Sequence, residues 1–209
     1  MTERAQQWTT ASWLVAGGRP TGVGEPLTTP IVAASNFELP ADRGYARNEG
    51  TPTWEALEDL VGGLDGGEAV AFASGMAAVH AVVDRLAVGA RIVLPDDCYQ
   101  GVAALVAAGE ARGRWTSTRL PLDDTAAWID ACRDADLIWL ESPSNPLLVV
   151  ADTEAICAAP RKPGALLAID DTFATPLNQR PLEMGADVSI HSATKLIGGH
   201  SDLLCGIAT

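Results

Sequence analysis

The chain has 209 residues, with 14 Lys+Arg against 27 Asp+Glu and a formal net charge of −13. A hydrophobic share of 47% beside 20% charged residues belongs to a folded globular protein and excludes a disordered one. The acidic balance repels nucleic acid and anionic membranes alike, so neither is expected as a partner. No run of about 18 apolar residues is available to span a bilayer, and the N-terminal segment has no secretion-signal core, so the expected location is cytoplasmic. Cys98, Cys132, Cys157 and Cys205 form no C-x-x-C pair; reduced thiols are expected, with no disulfide framework and no metal site.

Residues 1–52 are rich in Gly, Pro and Thr and carry no sustained period, which reads as an arm docked on another surface. The run beginning at Thr53 predicts a helix with Thr53 as N-cap. Its apolar face is Leu57, Leu60, Val61 and Leu64, and it stops at Gly66-Gly67. From there short apolar runs alternate with helical stretches. The predicted strands are Ala69–Ala73, Arg91–Leu94, Trp115–Leu120, Leu137–Leu140, Ala165–Ile169 and Val188–His191. The predicted helices are Met76–Leu86, Gly101–Glu110, Thr125–Cys132 and Thr153–Ala158. This alternation implies an α/β domain over residues 53–209, with a mostly parallel sheet covered by helices on both faces.

In such sheets ligands sit beyond the C-terminal ends of the strands. The polar residues found there are Ser74-Gly75-Met76, Asp96 to Tyr99, Glu141 to Asn145, Asp170-Asp171-Thr172 and Ser192 to Lys195. Ser74-Gly75-Met76 opens a helix and suits a phosphate, or is an ordinary strand-to-helix turn. No dinucleotide or P-loop glycine pattern occurs there. Asp170 closes an apolar strand, where a carboxylate needs a cation such as a protonated pyridine or a metal ion, or else caps the next turn. Lys195 lies among hydroxyls and apolar residues. Desolvation there makes an amine nucleophilic toward carbonyls; the alternative is a surface lysine. His80 is read as a packing or surface residue, His191 and His200 as supports of the lysine loop, and Glu141 as orienting the Ser142–Pro146 turn.

Together these segments resemble the Cys/Met-metabolism pyridoxal-phosphate enzymes, the group of cystathionine γ-synthase and cystathionine γ-lyase. The resemblance is carried by Tyr45-Ala-Arg47, Ser74-Gly-Met-Ala-Ala78, Tyr99, Glu141-Ser-Pro-Ser-Asn-Pro146, Asp170-Asp-Thr-Phe-Ala-Thr-Pro176, Gly185-Ala-Asp187 and His191-Ser-Ala-Thr-Lys195 with Gly199-His-Ser-Asp202. It implies an aspartate-aminotransferase-like large domain behind an extended N-terminal arm. The cofactor is pyridoxal 5'-phosphate, bound by Lys195 as a Schiff base and paired through its pyridine N–H⁺ with Asp170.

By the same resemblance Tyr99 stacks on the ring and assists Lys195, and Asn145 lies near the ring's phenolic oxygen. The backbone of Gly75 and Met76, with the hydroxyls of Ser192 and Thr194, holds the phosphate. Tyr45 and Arg47 reach the cofactor phosphate of a neighbouring subunit, so a homodimer or homotetramer with shared sites is implied. The reaction class is γ-elimination or γ-replacement on cystathionine or O-acylhomoserine, an amino-acid substrate. Family members run to roughly twice this length, so a chain lacking the C-terminal small domain is expected. The alternative function is a non-catalytic cofactor-binding or oligomer-forming fragment. Asp171 stands where the family commonly has Asn, and if both adjacent carboxylates are buried, like-charge repulsion is expected to push one pKa up.

Overall fold

A computed structural model describes residues 8–209. The chain divides into two compact units, one ending at Ala71 and the other spanning Phe72–Thr209. The first holds α1 (Thr10–Ala16), α2 (Ala46–Glu49) and α3 (Pro52–Asp65). Sequence periodicity did not mark α1, a short helix with no buried residue. It is held by Trp13, whose indole N–H donates to Leu60 O at 2.8 Å. This docking on α3 puts the division after α3, where the sequence reading divides the chain at Pro52/Thr53.

α3 begins two residues earlier than expected, with Thr51 as N-cap. Proline's fixed φ suits the first helical position, so Pro52 starts the helix and Thr53 falls inside it. The Thr53 hydroxyl instead donates to Pro30 O and accepts Val32 N–H, fastening the preceding loop to the helix. The C-terminal stop is as read: Gly66 adopts φ +86° and donates to Gly62 O.

After β1 (Val70–Phe72), which carries the boundary, come α4 (Gly75–Val83), β2 (Ala90–Pro95), α5 (Gln100–Ala111), β3 (Trp115–Leu120), α6 (Thr125–Ala131), β4 (Leu137–Glu141) and α7 (Thr153–Cys157). Then follow β5 (Leu166–Asp170), the one-turn helices α8 (Thr175–Asn178) and α9 (Pro181–Met184), β6 (Val188–His191) and β7 (Gly206–Ala208). The helix expected to reach Leu86 ends at Val83, because Arg85 and Leu86 bond back to Val82 and Val83 in a tighter turn. The seven strands form one sheet in the order β1-β7-β6-β5-β4-β2-β3. Pairing is parallel from β3 through β6, and β7 runs antiparallel to β6.

Strand alternation builds two cores from the same residues' neighbours. Ile92, Leu94, Leu137, Trp139 and Ala168 face one side, with Val79 and Val82 of α4 and Val102 and Val106 of α5. Val93, Ile138, Leu140, Leu167 and Ile169 face the other, with Trp128 of α6 and Ile156 of α7. Each fully buried Leu or Ile contributes about 1.5–3 kcal/mol relative to exposure. β4 is buried on both faces and paired on both edges, with β5 and β2, so its C-terminal end is firmly fixed.

Candidate active site

A cavity of about 220 Å³ lies at the C-terminal ends of the strands. It brings together Gly75, Met76, Tyr99, Asn145, Asp170, Ser192, Thr194 and Lys195. All belong to the second unit. Glu141, Pro143, Thr172 and Phe173 also line it.

α4 starts at one wall. Ser74 caps it, accepting Ala77 N–H at 3.2 Å, and Gly75 and Met76 supply the first-turn amides. A Cβ on Gly75 would come within 2.8 Å of Ser192 Cβ and 3.0 Å of Ser192 Oγ. Only glycine therefore allows the helix start and Ser192 to come together. The Ser192 hydroxyl has no hydrogen bond among the described residues. Thr194 is differently placed: its hydroxyl accepts Cys205 N–H at 3.0 Å and donates to Cys205 O at 3.2 Å, clasping the segment that leads into β7.

Asp170 ends β5. Its Oδ1 accepts Thr172 N–H at 3.1 Å and Thr172 Oγ1–H at 2.6 Å, while the same Thr172 oxygen accepts Ser192 N–H at 2.8 Å. Oδ2 takes part in none of these bonds. Desolvation raises the Asp170 carboxyl above its ordinary value, against the lowering effect of the Thr172 bonds. The expectation that Asp171 would be the cause is corrected here. Alternation sends Asp171 to the opposite face of the sheet, where it is fully buried and accepts Gln179 Nε2–H at 2.7 Å. The like charge beside Asp170 is Glu141, level with it in the parallel register of β4 and β5. Burial first, and then Asp170, push the Glu141 carboxyl up to about 8.

The turn carrying Asn145 is held from two sides. Ser144 Oγ–H donates to Asp97, which also accepts Leu147 N–H at 3.3 Å. Gln179 donates to Ser142 O at 3.2 Å and accepts from Thr153 Oγ1 at the same distance. Tyr99 stands at the mouth of the cavity, 39% exposed. The desolvation expected around Lys195 is absent: its side chain is exposed, on a rim shared with a second, more open cavity toward Leu196, Asp202 and Leu203.

Tyr45 and Arg47 belong to the first unit. Arg47 is exposed, with its guanidinium 5.7 Å from the Tyr45 ring centroid and no ion pair among the described residues. Arg43, in the same unit, grips Glu55 through two bonds of 2.7 and 2.9 Å. Sequence reasoning placed Thr172 among the strand-end polar residues but gave it no role, and it did not single out Phe173 as a lining residue. The Asp-x-Thr spacing that makes the Thr172 bond local was the available signal.

The residues fit pyridoxal phosphate. A glycine-permitted helix start beside a serine hydroxyl suits its phosphate. A desolvated carboxylate with one oxygen uncommitted suits its pyridinium, and a primary amine stands at the rim. Among the described residues no group of three or more His, Cys, Asp and Glu could hold a metal ion. No described helix is long and apolar enough to cross a membrane.

Fold and cavity together define an α/β protein of the kind that seats a phosphorylated carbonyl cofactor over a strand-end acid. The Cys/Met metabolism PLP-dependent enzyme family matches residues 19–209, and the chain belongs to that family. It is 41% identical over 204 residues to the cystathionine gamma-synthase of Mycobacterium bovis, covering 91% of this chain and 51% of that protein. It is 38% identical over 192 residues to the cystathionine beta-lyase of Lactococcus lactis subsp. cremoris, covering 88% and 50%. The crystal structure of metB from Corynebacterium glutamicum superposes with a TM-score of 0.90 at 33% identity, covering 98% of this chain and 56% of that one. The chain thus spans about half the length of the curated relatives it matches. The family's cofactor is pyridoxal phosphate, and its fold is the one observed.

Proposed function

We propose that this chain is the cofactor-binding part of a pyridoxal-phosphate-dependent lyase or transferase that carries out γ-elimination or γ-replacement on cystathionine or an O-acylated homoserine. One observation carries the reading: Lys195, Asp170, Tyr99, Asn145, Ser192 and the start of α4 converge on a single cavity although they come from five separate strand ends. Bound pyridoxal phosphate supplies an electron sink for negative charge at the substrate's α-carbon. Asp170 would hold the proton on the pyridine nitrogen at its uncommitted Oδ2. Gly75, Met76 and Ser192 would fix the phosphate, and Asn145 and Tyr99 would orient the ring. Lys195 Nζ would attach the cofactor and, once released, carry the α-proton.

A second reading, a cofactor holder without turnover, is favoured by the lining itself. Lys195 is the only basic residue among the described residues of the cavity wall, so a substrate carboxylate has no cation there besides the lysine. Reduction with borohydride after incubation with pyridoxal phosphate tests both. The chain has two lysines, Lys162 and Lys195, and Lys162 is paired with Asp136 at 2.6 Å. Peptide mass spectrometry should find the pyridoxyl group on Lys195 and lose it in Lys195→Ala. Modification of Lys162 alone would refute the assignment. A Lys195 adduct without keto-acid release from cystathionine would select the second reading.

A further inference from the structure

Glu141 has no role in the reading above, yet it sits at the centre of the site. It closes β4, is 4% exposed and lines the cavity. Its register partner is Asp170, and strand parity turns both toward the face covered by α4 and α5. Its Oε2 accepts the backbone N–H of Tyr99 at 2.7 Å, a contact spanning 42 positions of sequence. Tyr99 is the residue from which α5 starts, and its own side chain makes no capping bond. The backbone that aims the Tyr99 ring into the cavity mouth is therefore anchored on one carboxyl oxygen.

We propose that Glu141 is a positioning residue: through the Tyr99 amide it sets where the Tyr99 ring stands over the cavity, and it works as one half of a carboxyl pair with Asp170.

The surrounding charges decide how the pair behaves. Asp170 from β5 and Asp97 from the segment after β2 oppose ionisation of Glu141, while the Tyr99 and Asn145 amides favour it. The Cys98 thiol, pushed up to about 11 by burial, feels Glu141 as well and has Arg119 of β3 beside it. His191 acts on Asp170 from β6, and Lys195 stands at the rim. Two carboxyls in a desolvated edge do not both ionise readily. With the Glu141 carboxyl raised to about 8, near neutral pH Glu141 holds a proton and the Tyr99 amide faces a neutral acceptor. A cation against Asp170 relieves the repulsion. That lowers the Glu141 carboxyl, which is raised first by burial and then by Asp170, and a charged acceptor holds the amide more strongly. Arrival of a pyridinium would in this way tighten the Tyr99 wall.

The link between Glu141 and Tyr99 stands without the cofactor reading, whereas the tightening rests on it. The chain has two tyrosines, so ¹⁵N-tyrosine labelling gives two backbone signals, assigned by Tyr45→Phe. The Tyr99 amide shift should titrate with a midpoint near pH 8, and Glu141→Gln should remove the inflection. A flat Tyr99 signal, or an inflection that survives Glu141→Gln, overturns the proposal. In fluorescence titrations with pyridoxal phosphate, Glu141→Ala should lose about tenfold in affinity. Glu141→Gln, which keeps an acceptor oxygen, should recover most of it, to within about threefold. Equal losses in the two variants would overturn the positioning role even with the titration intact. If the unmutated chain binds no pyridoxal phosphate, the cofactor reading fails, and the Tyr99 titration still decides the Glu141 link.

Discussion

The two aspartates at the end of β5 differ in what surrounds them, so their removal should be felt in different measurements. Asp171 is fully buried and receives the Gln179 amide. Asp171→Ala leaves that donor without its acceptor and should lower stability by about 1–3 kcal/mol, read from the urea midpoint, with cofactor affinity little changed. Asp170 is a desolvated acid whose bonds fall on one oxygen. Asp170→Ala should leave the urea midpoint near its original value and reduce pyridoxal phosphate affinity by about tenfold, or about 1.4 kcal/mol. Indistinguishable behaviour of the two variants in both assays would contradict the assignment. Glu141 gives a pH signature. Its carboxyl is raised in the folded protein from 4.5 to about 8, so over that interval the folded form holds a proton that the unfolded chain has released. Linkage then makes this group's contribution to stability fall as pH rises from about 4.5, levelling off above about 8. Urea midpoints measured across that range should show the decline, and Glu141→Gln should flatten it.

Elements of the second unit were legible where hydrophobic pattern and burial coincide. Leu137–Glu141 and Leu166–Asp170 read as continuous apolar runs because both faces of these strands are covered. The parity that separates Asp170 from Asp171 was also in the sequence, since Ala168 and Ile169 face opposite cores, but position within the strand went unused. The short elements were not legible. β7 has three residues, and α8 and α9 have four each, opening at or next to a proline, too few to display a period. α1 is likewise hidden, because a single indole bond rather than an apolar face secures it. The start of α4 offers a test at this scale. Gly75→Ala places a methyl 2.8 Å from Ser192 Cβ and forces the helix start and Ser192 apart. The protein should remain folded by circular dichroism while affinity for pyridoxal phosphate drops about tenfold; undiminished affinity would show that the junction does not hold the phosphate.

For the whole molecule, the first unit poses the question of assembly. Arg47 is exposed and carries no ion pair among the described residues, and a guanidinium binds phosphate through paired N–H donors. We expect it to act on the cofactor of a partner subunit in a homodimer or homotetramer with two-fold exchange of arms. Mixing an Arg47→Ala chain with a Lys195→Ala chain checks this. Hybrid dimers should recover one high-affinity cofactor site, whereas an arm acting within its own chain gives no recovery. A different consequence follows from how the strand-end cradle is assembled. Its walls come from Ser74–Met76 and Ser192–Thr194, and behind the first packs Gly206, so close that a methyl there would stand 2.1 Å from Ser74 O. On the ribosome, Ser74 is made long before Gly206, and at about 5–20 residues per second the delay is on the order of ten seconds. Throughout that interval the amides that open α4 lack the strand that packs behind them. A phosphate that depends on this cradle is therefore taken up only once synthesis has passed Gly206, and a growing chain shorter than that has no complete cradle to offer the cofactor.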